Sequence, residues 1–92
     1  MEFSNFSFHA IQDPTGIMVG NRYEFLVDVE VDEDDELYTA GGLELRVILA
    51  VDDNGARIAH YNFVDKLSKE ILEFALEEDE EQEVLAFCQE KL

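Results

Sequence analysis

Apolar and polar side chains alternate along much of the chain. The alternation is strict from Tyr23 to Val31. It continues from Leu43 to Val51, where Ile48 and Ala50 stand at positions of the other face, and it is weaker over residues 2–11 and from Arg57 to Asp65. A period of two places the apolar side chains on one face of a strand. We therefore predict antiparallel strands with one face on the core and one face towards water.

The period of two also assigns side chains to faces in the two weaker segments. In the segment that starts at Arg57, it places Ala59, Tyr61 and Phe63 on one face of the strand and Ile58 on the other. In the first segment Phe6 and Phe8 share a face.

Turn signals separate the predicted strands. The run 13–16, Asp-Pro-Thr-Gly, predicts a turn, because proline presets φ and glycine accepts positive φ. The run 52–55, Asp-Asp-Asn-Gly, predicts a tight hairpin. The five consecutive acids at 32–36 predict a solvated loop.

Residues 66–76 fit two periods. A helical stripe would use Leu67, Ile71, Phe74 and Ala75, whereas a strand would use Leu72, Phe74 and Leu76. We favour a fifth strand over about 70–76, entered by a turn around 67–69. The helix stays open as the alternative.

A C-terminal helix is predicted over about 79–91. Asp79 is a suitable N-cap, with Gln82 completing a capping box. The side that docks on the sheet would carry Val84, Phe87, Cys88 and Leu92. The expected fold is thus α+β, a single domain over 1–92. It is an antiparallel meander of four to five strands with one C-terminal helix packed on one face.

The charge restricts the partners. Six Lys and Arg against 23 Asp and Glu give a formal net charge of −17. Such a field repels phosphates and anionic membranes, so we expect no direct nucleic acid and no membrane binding. A basic protein partner is compatible, and the self-repulsion favours a monomer or a weak dimer. The lone Cys88 and the absence of a signal-like N-terminus indicate the cytoplasm.

Two acidic segments are the candidate partner-binding residues. The first contains Asp28, Glu30, Asp32, Asp34, Asp35 and Glu36, and the second contains Glu77, Glu78, Asp79, Glu80 and Glu81. Carboxylates also suit a divalent cation, but an EF-hand loop counted from Asp28 would place Glu33 where glycine is required. We therefore assign no metal ligands and keep a cation-binding domain as one alternative.

The most favoured function is a non-enzymatic protein-binding or regulatory module that engages a basic surface. A second alternative is a DNA-mimic inhibitor, which needs both acidic segments on one surface. No phosphate loop, nucleophile elbow or zinc motif is present, so we expect neither catalytic residues nor a cofactor. His9, His60 and Cys88 lack the spacing of a metal or catalytic group.

Several runs carry a resemblance to a known family. They are residues 13–17, 22–25, 34–38, 45–48, 76–81 and 87–88. The chain resembles a family of short, acidic, uncharacterised proteins from Bacillus-like Gram-positive bacteria. Similar sequences often have a Thr-Gly turn at the position of 67–69, which favours the fifth strand. Some members are labelled pullulanase, a label that does not fit, because 92 residues cannot form the barrel of such enzymes. The resemblance implies no catalytic residues.

Overall fold

A computed structural model describes residues 2–11 and 20–92. Within these residues the chain forms five strands and one helix, which confirms the predicted α+β fold. The turn predicted at 13–16 lies outside the described residues. The elements are β1 (Glu2–Ile11), β2 (Asn21–Glu30), β3 (Leu43–Asp52), β4 (Gly55–Asp65), β5 (Ile71–Leu72) and α1 (Glu78–Lys91).

The strands form one antiparallel sheet in the order β1-β2-β3-β4-β5, so each strand pairs with its neighbour in the chain. The residues that alternate on β2 and β3 bury one face of this sheet, as the period predicts. The fully buried core contains Phe25, Val27, Leu45, Val47, Leu49, Phe63, Val84 and Cys88. The last two belong to α1, which therefore covers the same face.

The hairpin between β3 and β4 is confirmed. Asp52 pairs with Gly55, and the Asp52 Oδ1 atom accepts a hydrogen bond from the backbone N–H of Asn54 at 2.8 Å. The positive φ falls on Gly55, at 119°, rather than on Asn54. A side chain at Gly55 would strain the backbone, because L-residues rarely adopt this φ.

A bulge in β4 overturns one predicted face. Ile48 pairs with His60 while Leu49 pairs with Ile58, so Ala59 is an extra residue on the β4 side. An extra residue reverses the alternation beyond it. Ile58 consequently packs against the core together with Tyr61, and Ala59 is exposed. The sequence analysis placed Ala59 on the face of Tyr61 and Phe63, and Ile58 on the opposite face. Both assignments were wrong because of the bulge.

A second irregularity lies in β1. Phe3 pairs with Val29 and Phe6 with Val27, so two residues of β1 oppose Asp28 alone. The extra residue brings Phe3 onto the same face as Phe6, although their spacing in the sequence is odd. Phe3 can therefore reach α1, where its ring centroid lies 4.8 Å from that of Phe87.

The fifth strand is present but shorter than the predicted 70–76. Ile71 and Leu72 pair with β4, which excludes the helical alternative there. A hydrogen bond from the N–H of Phe74 to the carbonyl of Leu72, at 3.0 Å, then bends the chain away from the sheet edge. The predicted turn before β5 is confirmed, and Lys69 adopts a left-handed φ of 66° in it.

The helix spans Glu78–Lys91, and its N-cap lies two residues earlier than predicted. Glu77 is the N-cap, and the Glu80 Oε1 atom accepts a hydrogen bond from the N–H of Glu77 at 2.9 Å. The predicted cap at Asp79 with Gln82 was wrong, because Leu76 is buried and its N–H donates to the Tyr61 hydroxyl at 2.8 Å. That anchor fixes the chain immediately before Glu77, so the helix starts there.

The helix crosses the sheet diagonally. Near its start, Glu81 shares a surface depression with Ile58 of β4, and near its end Phe87 contacts Phe3 and Phe6 of β1. Leu92, which was expected to dock on the sheet, is 49% exposed because the helix has by then reached the sheet edge.

Candidate functional site

The two predicted acidic segments lie at different ends of the sheet. The acidic loop, residues 32–36, follows the end of β2, and the segment that leads from it to β3 bonds Asp65 at the end of β4 through Thr39. The helix-start cluster, residues 77–81, lies near Ile58 at the other end of β4. Ile58 and Asp65 are separated by about 23 Å along the strand, at 3.3 Å per residue. The fold therefore does not join the segments into one surface.

Backbone hydrogen bonds shape the acidic loop. The N–H of Asp35 donates to the carbonyl of Asp32, and the N–H of Tyr38 donates to the carbonyl of Asp35, each at 3.0 Å. The Asp35 Oδ1 atom accepts a further bond from the N–H of Leu37 at 2.9 Å. These bonds form turns within the loop, and the side chains of residues 32–36 remain exposed.

The register of β1 and β2 adds a residue that the sequence analysis missed. Glu2 lies directly opposite Glu30 in the antiparallel pair. Together with Asp32 and Asp35 they line one open depression, whose remaining lining residue is Val31. We call Glu2, Glu30, Asp32 and Asp35 the acidic depression. The signal was available, because a meander pairs the start of one strand with the end of the next.

The acidic depression is electrostatically unfavourable in isolation. Like charges directly opposite each other on neighbouring strands destabilise the pair. All the ionisable residues that line this depression are acids. A cationic group placed here would therefore relieve a repulsion as well as gain an attraction.

Asp28 has a different environment from the other predicted residues. Its Oδ1 atom lies 3.0 Å from the Lys66 ammonium, so its charge is already paired within the chain. Glu24, four residues earlier on the same face, has a carboxylate oxygen 2.6 Å from the Arg46 guanidinium. Asp34 and Glu36 remain on the exposed loop but do not line the depression. The structure thus brings together only Glu30, Asp32 and Asp35 from the predicted set.

The helix-start cluster has a structural explanation. Glu80 closes the capping box, and the acids of the first turn, Glu78, Asp79, Glu80 and Glu81, lie at the positive end of the helix dipole. Glu78 and Glu81 also share a depression with Arg57, so basic charge is already present there. This cluster is therefore less suited to an external cation than the acidic depression.

A comparison with protein families gives a match over the whole chain. The model of a family of unknown function, DUF6509, covers residues 1–92. The chain belongs to this family. No curated protein and no solved structure matches it.

The nucleophilic and metal-binding side chains of this DUF6509 member are dispersed. In the part of the chain that the structure describes, no group of three or more His, Cys, Asp or Glu side chains could hold a metal ion. Burial raises the pKa of the Cys88 thiol to about 11, so the reactive thiolate is scarce at neutral pH. His9 lies 3.6 Å from Glu24, and His60 is hydrogen-bonded to Asn62 at 3.1 Å.

Within residues 2–11 and 20–92, no helix has both the length and the apolar composition needed to cross a membrane.

Proposed function

We propose that this chain is a non-enzymatic protein-binding module, and that the acidic depression is the part that engages a basic protein surface. The observation that carries the proposal is the pairing of Glu2 with Glu30 beside Asp32 and Asp35. Four carboxylates are held there by strand register and by a hydrogen-bonded loop.

The chemistry favours a guanidinium or ammonium group as the bound species. Arginine and lysine form charge-assisted hydrogen bonds with carboxylates, and arginine can bridge two oxygens at once. The chain's own Arg46 and Lys66 are paired with Glu24 and Asp28, away from the depression. A partner's basic side chain would supply the counter-charge.

Two other functions receive less support from the geometry. A DNA mimic needs the acidic loop and the helix-start cluster on one continuous surface, and they lie at different ends of β4. A divalent-cation domain needs six to eight oxygen ligands around one point, for which the described side chains offer no group. Both serve as outcomes of the experiment below.

We further propose that the module acts in the cytoplasm of a Bacillus-like Gram-positive bacterium. The support is the family resemblance of the sequence and the single cysteine, which suits a reducing compartment. Its partner would be a basic protein of the same compartment.

The test compares two variants that lose the same charge. The depression variant carries Glu2→Gln, Glu30→Gln, Asp32→Asn and Asp35→Asn. The control carries Glu70→Gln, Glu73→Gln, Glu83→Gln and Glu90→Gln, which are exposed positions elsewhere. Both proteins have four fewer negative charges than the wild type, so net charge alone affects them equally.

The measurement is binding of a fluorescent lysine-rich peptide at low and at physiological ionic strength. We expect the depression variant to bind about tenfold more weakly, since four contacts of a few tenths of a kcal/mol each give that factor. The control should lose much less. Equal losses in both variants would mean that only net charge attracts the peptide, and the proposal would fail.

Affinity capture from bacterial lysate extends the test to real partners. A basic protein retained by the wild type and the control, but lost with the depression variant, supports the proposal. A saturable calorimetric signal with Ca²⁺ that the depression variant lacks would instead favour the cation-binding alternative.

A further inference from the structure

The strand β1 forms one edge of the sheet over its full length. It has ten residues and pairs on one side with β2, and no other strand of the described residues lies on its outer side. An edge strand presents a row of backbone N–H and C=O groups that can pair with another strand. Ten residues are ample for such an addition.

The edge strand β1 is almost uncharged in a chain of high charge. It carries one acid, Glu2 at its beginning, whereas the whole chain carries 23. It contains neither lysine nor proline, the residues that commonly protect an edge. Two copies of this chain, each with a net charge of −17, would repel one another least along β1.

The apolar face of β1 continues the core without being covered. Phe6 is 42% and Phe8 39% exposed, on the face that α1 covers elsewhere. The Phe8 ring stacks on Phe25 of the core with centroids 4.8 Å apart, and Phe6 meets Phe87 edge-on at 5.7 Å. A strand added beside β1 would bury the exposed edges of both rings.

We propose that β1 pairs antiparallel with β1 of a second copy about a two-fold axis at Ser7, forming a continuous ten-stranded sheet. The axis places Ser7 opposite Ser7 of the partner subunit. Phe6 then lies opposite Phe8 of the partner subunit, and the reverse pair repeats across the axis. Opposite residues of an antiparallel pair point to the same face, so all four rings join the helix-covered face.

This register has two further physical advantages. It places the two copies of Glu2 at opposite ends of the interface, about 33 Å apart at 3.3 Å per residue. It also keeps the irregular positions Ser4 and Asn5 outside the aromatic pairs. The Lys91 ammonium, 5.3 Å from the Phe6 ring centroid, adds positive charge beside the interface and reduces the repulsion.

The first test is sedimentation equilibrium of the full chain over a range of concentrations. We expect a reversible monomer–dimer equilibrium that moves towards the dimer as salt is added. Salt screens the repulsion of the two anionic copies but leaves apolar contacts and backbone pairing intact. A monomer at every concentration and salt would overturn the proposal. This salt response is opposite to that of the acidic depression, so either proposal can fail independently.

The second test places a charge on the axis. Ser7 is exposed and its side chain is on the face without the helix, so Ser7→Lys should leave the fold intact, as circular dichroism and thermal unfolding would verify. Two lysines opposite each other should raise the dimer dissociation constant by up to about fivefold, since one cross-strand pair of charges changes the free energy by up to about 1 kcal/mol. Ser68→Lys, the same substitution in the exposed turn before β5, should leave it unchanged. Equal dimerisation of the two variants would place the interface elsewhere.

The third test fixes the register. Ser7→Cys should form a disulfide with its own copy under mild oxidation, because the axis brings the two positions together. His9→Cys alone should not, whereas the double variant Asn5→Cys with His9→Cys should. The buried Cys88 does not compete for oxidation. Cross-linking of His9→Cys but not of Ser7→Cys would contradict the proposed axis.

Discussion

The two edges of the sheet differ in length, charge and cover. The β1 edge is ten residues long, nearly uncharged and partly aromatic. At the opposite edge, β5 is two residues long and pairs only with Phe63 and Val64 of β4. Farther along β4, the acidic residue Glu81 of α1 lies beside Ile58 to Tyr61, and the bulge at Ala59 interrupts the strand. Both edges carry an irregularity, at Ser4 and Asn5 of β1 and at Ala59 of β4, so it is shortness and charge that protect the second edge, and pairing with another strand is expected only at the first.

The two edges are also held by different forces. At β1 the rings of Phe3, Phe6 and Phe8 pack on the core and on α1. At the β4–β5 edge Leu72 and Leu76 also pack on the core, but hydrogen bonds add to this packing: the N–H of Leu76 donates to the Tyr61 hydroxyl, and N–H groups of the turn at 66–69 donate to Asp65. The predictions below perturb each kind of contact.

The largest expected effect comes from a pair of matched truncations. Phe63→Ala removes a fully buried ring and should lower the free energy of unfolding by about 3–5 kcal/mol. Phe8→Ala removes a ring that is 39% exposed and should cost only about 1–2 kcal/mol in the monomer. Urea unfolding at low protein concentration measures both. Similar costs would show that the β1 edge is buried in the dissociated chain too.

A smaller effect is expected from one hydroxyl at the other edge. Tyr61→Phe removes the acceptor of the Leu76 N–H and should cost about 1 kcal/mol, since the site is partly buried. Tyr38→Phe, at an exposed tyrosine, serves as the control and should be neutral. If both substitutions were neutral, the hydroxyl would not be what holds the start of the helix.

A stabilising change is expected in the turn before β5. Lys69 has a φ of 66°, which is unfavourable for any residue with a Cβ atom. Lys69→Gly should therefore raise the free energy of unfolding by about 0.5–1 kcal/mol, after the entropy cost of glycine. Lys69→Ala keeps the strain and removes the same charge, so it should give no such gain. A gain with alanine would trace the effect to charge instead of conformation.

The smallest effect is confined to acidic solution. The hydrogen bond from Thr39, followed by the N–H groups of Ser68 and Leu67, holds the pKa of Asp65 below its ordinary value of 3.8. A carboxyl with a depressed pKa in the folded state stabilises the protein above its unfolded pKa. That contribution is lost as the pH falls through the lower folded value.

Asp65→Asn removes this titration. The difference in urea midpoint between wild type and variant should therefore be constant at neutral pH and should narrow below about pH 3.8. A constant difference down to the lowest pH at which the protein is folded would show that Asp65 titrates normally.

Local pattern predicted most of the fold and part of the candidate site. The strands β2 and β3 follow from the alternation of side chains along them, and the hairpin follows from Asn54-Gly55. The bulge at Ala59 was not predicted, because an extra residue is recognised only against a partner strand. The N-cap at Glu77 was also missed, since the Tyr61 hydroxyl that anchors Leu76 lies fifteen residues earlier in the chain.

The candidate site shows the same division. The sequence contained Glu30, Asp32 and Asp35 as a local run of acids, but Glu2 joins them only through the register of β1 with β2. Conversely, Asp28 belongs to the same run of acids, but it forms an ion pair with Lys66, a residue distant in the chain, and does not line the depression.

The sequence by itself determined the strands β2 and β3, the hairpin between β3 and β4, the presence of a C-terminal helix and the charge, because period, turn residues and ionisable groups act over a few neighbouring positions. Only the tertiary structure decided which acids face one another, where α1 begins, and which edge of the sheet is left open. Those features depend on strand register and on contacts between residues far apart in the chain, which a one-residue bulge is enough to change.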